Sequence, residues 1–204
     1  MRIISFGACA LVLALSWSCG GGGSSPELRD PIADDLPKLV LQLGDLPDGF
    51  APLAVCEDQN PVPSADGSFA VAFFERFEIN SERTACVVSY AYLLPSADEA
   101  SRAMRSLDET IADLNRPIQE GGECSPFREI DAPRVGEETR ILTGDCVSCP
   151  ADSAQFYWIQ FRVGRVLASP RSIGEECLSL SEAIAYATKQ KDRIETVLRA
   201  KSND

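Results

Sequence analysis

The stretch FYWIQFRVGRVLAS, residues 156–169, decides the fold. Its first eight residues are rich in aromatic and β-branched side chains, and Tyr157, Ile159, Phe161 and Val163 fall on one side. A period of two marks a half-buried strand. Gly164-Arg165 makes a tight connection, and residues 166–169 return as a partner strand. A hairpin with one apolar face needs a second layer to cover it.

The flanking sequence supplies more strands and two clear helices. Residues 138–143 are a strand candidate, residues 127–130 a shorter one, and Asp131-Ala132-Pro133 turns the chain between them. Further back, residues 68–79 alternate, with Phe69, Val71, Phe73, Phe77 and Ile79 on one side and only Glu75 interrupting. After a turn at 80–83, TACVVSYAYLL (residues 84–94) is rich in β-branched and aromatic residues, so the two runs read as a second hairpin. Pro95 stops it. Ser96 and Glu99 then form a capping box, and Ala100, Met104, Leu107, Ile111 and Leu114 follow at helical spacing as far as Asn115, before Pro117. At the other end, residues 170–177 read as loop. Ser179 and Glu182 repeat the capping pattern ahead of a C-terminal helix marked by Leu180, Ile184, Ala187, Ile194 and Leu198. Residues 36–43 predict a short helix, DLPDGF (45–50) a tight turn, 51–56 a first strand and 57–67 a loop.

Hairpins joined by tight turns and interspersed with helices predict an α+β fold: an antiparallel sheet with helices packed mainly on one face, stabilised by disulfides. The apolar alternation is expected to face the helices.

The N-terminus is a different kind of sequence. Arg2 is followed by an apolar run over residues 3–15, broken only by Ser5, then by small residues ending at Cys19. That order is a secretory signal, and the run is shorter than the roughly 20 residues a spanning helix needs. GGGGSS follows the cysteine directly. The segment resembles a bacterial lipoprotein signal, although Ser16 stands where that family prefers leucine and Leu15 lies one position further back. The resemblance implies that Cys19 becomes the first mature residue and carries acyl chains such as palmitate. The alternative is plain secretion, with cleavage near residues 14–18. The expected organisation is a signal peptide over 1–18, a lipidated cysteine and flexible Gly/Ser tether over 19–35, and a single domain over 36–204.

The 204 residues carry 31 acidic and 19 basic side chains, for a net charge of −12. This balance disfavours nucleic acid and anionic membrane as partners of the folded part. There is no histidine, so a Ser–His–Asp triad is impossible and the commonest metal ligand is missing. Cys56, Cys86, Cys124, Cys146, Cys149 and Cys177 follow the anchor, an even set that in an exported chain argues for disulfides. Six cysteines allow fifteen connectivities, between which sequence alone does not choose. Neighbouring strand ends favour Cys56–Cys86 and loops beside helices favour Cys124–Cys177, while Cys146 and Cys149 either form a local bridge or each pair elsewhere.

A second resemblance covers most of residues 36–200. The DLPDGF turn precedes a hairpin, a helix opening PSADEA, a VGEETR segment, the FRVGRVLAS hairpin and a terminal helix. This order looks like a group of bacterial surface lipoproteins and the extracellular sensor domains of mycobacterial receptor kinases, with PsbP-like α+β folds. It implies binding or sensing at the envelope and carries no catalytic residue across.

Candidate chemistry is sparse. Cys146-Val147-Ser148-Cys149 has thioredoxin-like spacing, but it lies between two predicted strands with Asp145 and Asp152 beside it, which would raise a thiol pKa. A zinc site would need a second such pair. Glu75 with Glu78, Glu137 with Glu138 and Glu175 with Glu176 are paired carboxylates of the type a glycosidase uses, but in a chain this acidic they read as solvated surface. Phe73, Phe74, Phe77, Tyr90, Tyr92, Phe156, Tyr157 and Trp158 could line a pocket for an apolar ligand, or simply form core. The expectation is a monomeric, non-enzymatic binding or sensing protein. It needs no cofactor or metal and is held outside the cytoplasm of a bacterial envelope by an N-terminal lipid, at the outer membrane if the cell has two. The alternatives are a thiol–disulfide oxidoreductase using Cys146 and Cys149, and an acidic module that docks an envelope protein.

Overall fold

The computed structural model describes residues 28–53, 61–64, 66–77, 83–109, 111–112, 115, 126–131, 133–146, 154–173 and 179–199. The 156–169 stretch forms the expected hairpin. Its strands are β7 (Ala154–Val163) and β8 (Val166–Ile173), and Gly164 turns the chain at φ 56°, where a side chain would be strained. The other strands are β1 (Phe50–Pro52), β2 (Val62–Pro63), β3 (Phe69–Phe77), β4 (Arg83–Leu93), β5 (Arg128–Glu129) and β6 (Glu138–Cys146). All pair antiparallel in the order β1-β3-β4-β8-β7-β6-β5, with β2 beside β3. The helices are α1 (Leu36–Leu39), α2 (Ala97–Arg105) and α3 (Leu180–Arg199), and short 3-10 turns flank α1 at Ala33–Asp35 and Leu43–Asp45.

Strand β8 runs four residues further than the sequence suggests, through a proline. Its ladder to β4 is continuous, with Ser89 opposite Pro170, whereas pairing to β7 is interrupted between the Trp158–Arg171 and Phe161–Ala168 pairs. Proline has no N–H to donate, so the break falls where Pro170 and Ser169 face β7.

The sequence predicts helices mainly on one face; α1 and α3 share the first face, and the shorter α2 lies on the second. On the first face, α3 buries Ala183, Tyr186, Ala187, Gln190, Ile194 and Leu198 against α1, β7 and β8. The sheet residues beneath include Ala70, Ala72 and Phe74 of β3, Val87 and Ala91 of β4, and Ile159 and Phe161 of β7. The helices therefore rest on the Ala70–Phe74 set of β3 and not on the larger Phe69–Val71–Phe73 set. Small residues let a helix approach the sheet closely, so the bulkier alternation points the other way.

On the second face, α2 lies over β6, β7 and β8. Leu107, just beyond it, forms a separate core with Leu142 and Trp158, joined by Ile111 and Phe156. Ser96 caps α2 by accepting from the Glu99 amide at 3.1 Å. The box on α3 closes both ways. Glu182 Oε2 accepts from Ser179 N at 2.8 Å, and Ser179 Oγ accepts from Glu182 N at 3.3 Å.

Two buried polar side chains pin α1 to the sheet. Ser89 Oγ accepts from Leu41 N at 3.0 Å. Gln190, fully buried, donates to Leu39 O at 3.2 Å and Tyr90 O at 2.9 Å. The segment expected to be tether is docked from Leu28 onward. Arg29 N donates to Leu198 O at 3.1 Å, and the Arg29 guanidinium grips buried Asp35 at 2.7 and 2.8 Å.

Candidate ligand-binding face

The cross-strand register sorts the expected aromatic cluster onto two faces. Phe74 and Tyr157 belong to the first face and are buried in the main core. Phe73, Tyr90, Tyr92, Phe156 and Trp158 share the second face, and the side chain of Phe77 lies outside the described residues. The cluster is therefore not one pocket. Phe156 and Trp158 belong to the small core around Leu107, while Phe73, Tyr90 and Tyr92 extend beyond it on β3 and β4.

Three rows of paired residues cross this part of the second face. Phe69, Tyr92 and Leu167 form the first, Val71, Tyr90 and Ser169 the second, and Phe73, Val88, Arg171 and Trp158 the third. Val71 and Leu167 are buried, and Phe69, Phe73, Val88, Tyr90 and Tyr92 are half-buried. The rings of Phe69 and Tyr92 lie 5.7 Å apart, and those of Tyr90 and Tyr92 stack at 5.9 Å and 11°.

Arg171 sits where this array meets the ground covered by α2. Its guanidinium carbon lies 4.1 Å from the Trp158 ring centre and 4.9 Å from that of Tyr90. Trp158 is itself held, donating from Nε1 to the buried Ser169 hydroxyl at 2.6 Å. Burial pushes the Tyr92 phenol above its usual range, and the Arg171 charge pulls the other way. Among the described residues, Arg171 has no carboxylate partner, and its buried Nε has no acceptor.

Other charged clusters hold internal ion pairs. An open groove of about 460 Å³ beside α2 includes Arg105, Asp108, Arg134, Glu138 and Arg140. There Arg140 is bound by Glu129 at 2.7 Å and Asp108 at 2.5 Å and donates to Met104 O. The Glu129 hydrogen bonds drive its pKa further up. A second groove of about 380 Å³ along α3 has Arg193 locked to Asp45 at 2.7 Å.

Of the cysteines, Cys86 lies half-buried on the second face in register with Glu75 and Ile173. Cys146 is the last residue of β6, paired with Ala154, with its side chain outside the described residues. Cys19, Cys56, Cys124, Cys149 and Cys177 lie outside them altogether, as do the bridges expected there. Among the described residues, no three acidic or sulfur side chains gather as a metal site, and no helix is long and apolar enough to cross a membrane.

The sequence reading placed Phe69 beside Phe73 but left it out of the aromatic cluster, and it missed Arg171 and Ser169 as members of this face. The signal that could have found Arg171 is its alternation with Ser169 and Leu167. Pro170 obscured it by suggesting a loop.

No family model and no curated protein matches the chain. Among solved structures, the crystal structure of the extracellular domain of PknH from Mycobacterium tuberculosis superposes with a TM-score of 0.53. The match covers 83% of this chain and 100% of that one, at 13% sequence identity. The chain thus shares an α+β fold with an extracellular domain, the architecture its resemblance to such domains implies.

Proposed function

We propose that the chain is a non-enzymatic binding protein of the bacterial envelope, exported and lipid-anchored through Cys19. Its ligand lies on the second sheet face, over β3, β4 and β8. One observation carries this reading: the half-buried array of Phe69, Phe73, Tyr90 and Tyr92, bordered by the stacked Arg171, extends beyond the strands on which α2 rests. The fold shared with an extracellular domain and the signal-like N-terminus support export. Cys56–Cys86, Cys124–Cys177 and Cys146–Cys149 bridges suit that compartment.

The test is intact mass spectrometry of natively purified residues 25–204 kept from reducing agents. Zero free thiols and a co-purified small molecule are expected. Reactive thiols at Cys146 and Cys149 would move the functional site to that loop. In cells, Cys19→Ala should shift the protein from the membrane fraction to the soluble one. Unchanged fractionation would remove the lipid anchor from the reading.

A further inference from the structure

We infer that Arg171 is the head-group site for an anionic amphiphile, a molecule with one carboxylate or phosphate monoester and an apolar chain lying over Tyr90, Tyr92, Val71 and Phe69. The inference rests on reading the chain as a ligand-binding module and names the chemistry of its ligand.

The argument begins with charge. Acidic residues outnumber basic ones by 31 to 19, so carboxylates are plentiful, and Arg29, Arg102, Arg140, Arg162, Arg165, Arg193 and Arg199 each have one within 4 Å. Among the described residues Arg105, Arg128, Arg134 and Arg171 have none; the first three are exposed to water, whereas Arg171 is half-buried inside a central strand with its Nε lacking an acceptor, where a guanidinium is costly to leave uncompensated. Its neighbours are π faces. They attract the cation but offer no lone pair to its N–H groups. A guanidinium binds carboxylate or phosphate oxygens through two parallel N–H bonds, so the acceptor missing from the protein is supplied by an anion.

The rest of the face defines the tail. From the Arg171 row to the Phe69–Tyr92 row is four residues of strand, or roughly 13 Å at the usual rise. That distance is lined by Val88, Tyr90, Tyr92, Val71 and Phe69. A simple inorganic anion would leave this surface unused, and a neutral hydrocarbon would leave the arginine without an acceptor. A ten-carbon chain with a charged head matches both.

Trp158 gives a direct reporter. Residues 25–204 contain every described element, and Trp158 is their only tryptophan. This chain is titrated with decanoate, decyl phosphate, decanol and decyltrimethylammonium below their micelle concentrations while Trp158 fluorescence is followed. Both anionic probes should perturb Trp158 and bind at least about tenfold more tightly than decanol, the scale of one charge-assisted hydrogen bond. The cationic probe should bind more weakly than decanol. In Arg171→Gln, with an unchanged circular dichroism spectrum, decanoate should fall to the affinity of decanol, which should itself be unaltered. Equal binding of decanol and decanoate to the wild-type chain would overturn the anion site and leave the apolar binding face standing. No binding by any probe would overturn both. Tight decyl phosphate with weak decanoate would assign the site to phosphate heads, and the reverse to carboxylates. Because the head-group series uses the unmodified chain, the test holds even where Arg171→Gln fails to fold.

Discussion

Gln190→Met isolates the polar bond that joins the two layers of the first face. Gln190 is fully buried, and its amide donates to Leu39 O of α1 and Tyr90 O of β4. Methionine fills nearly the same space and donates nothing. Each buried acceptor left without its donor costs about 1–3 kcal/mol. Burying the apolar end of methionine returns about 1.5–3 kcal/mol at most. Gln190 Oε1 is buried without a partner among the described residues, so its removal returns a further part of the cost, and the net destabilisation is about 0.5–2 kcal/mol. With a urea slope of about 2 kcal/mol/M, the unfolding midpoint should fall by roughly 0.3–1 M at unchanged slope. A midpoint equal to or above that of the wild type would refute the claim that these bonds hold α1 and α3 to the sheet.

Gln190→Glu sharpens the test, because an ionised carboxylate can only accept. At neutral pH it should be less stable than Gln190→Met, since it places a charge against two carbonyl oxygens. Burial raises the folded-state pKa of such a carboxyl, so its penalty is present at high pH. The penalty is relieved as pH falls from that raised pKa toward the ordinary glutamate value of about 4.3. Stability should therefore recover on acidification relative to Gln190→Met. A parallel pH profile for the two variants would count against burial of this position.

Three further outcomes follow from the geometry. Ser179→Ala removes the hydroxyl that caps α3 and should cost about 1 kcal/mol in urea unfolding; it should also raise the Glu182 pKa, now depressed by hydrogen bonds from the Ser179 backbone and side chain, as read by carboxyl NMR titration. Gly136→Ala would place a methyl 2.4 Å from Arg162 O and 3.1 Å from the Phe161 ring, so thermal unfolding should show a loss of about 1–3 kcal/mol. The Arg29 hydrogen bond holds Asp35 below its ordinary 3.8, so the stability this carboxylate contributes is present above that value and lost as pH falls through the lower folded pKa; Asp35→Asn should flatten the acid limb of stability against pH and raise hydrogen exchange at Arg29.

The elements with strict periodicity were legible in the sequence. The 156–169 hairpin, the run over 84–94, the Ser96 cap and the Ser179–Glu182 box are where alternation and cap spacing place them, because local pattern and tertiary burial agree there. The assignment of faces was not legible. Strand β3 is apolar on both sides, and size alone suggests that Phe69, Val71 and Phe73 point to the helices. Burial instead follows the fit between α3 and the small residues Ala70 and Ala72. Gln190 was invisible for a related reason. It occupies the core stripe of α3 between Ala187 and Ile194, and only the three-dimensional position of two carbonyls makes a polar residue suitable there. Leu28 to Asp35 read as tether because their polar groups satisfy one another in a pattern that sequence spacing does not display.

Pro170 misled the reading of β8, and the same residue explains how Arg171 is presented. A proline inside a central strand removes one donor from the β7 ladder, and the pairing opens between Trp158–Arg171 and Phe161–Ala168. The Trp158 indole bridges this opening by donating to Ser169 Oγ, directly before the proline. That bond fixes the plane of the ring against which Arg171 stacks, and Tyr90 on β4 supplies the other ring. The backbone of Tyr90 is in turn tied to α3 through Gln190. Arg171 is thus positioned by contacts on two neighbouring strands, and no described residue neutralises it. A fixed cation beside an apolar track is what recognition of an anionic amphiphile requires, since pre-organisation lowers the cost of binding.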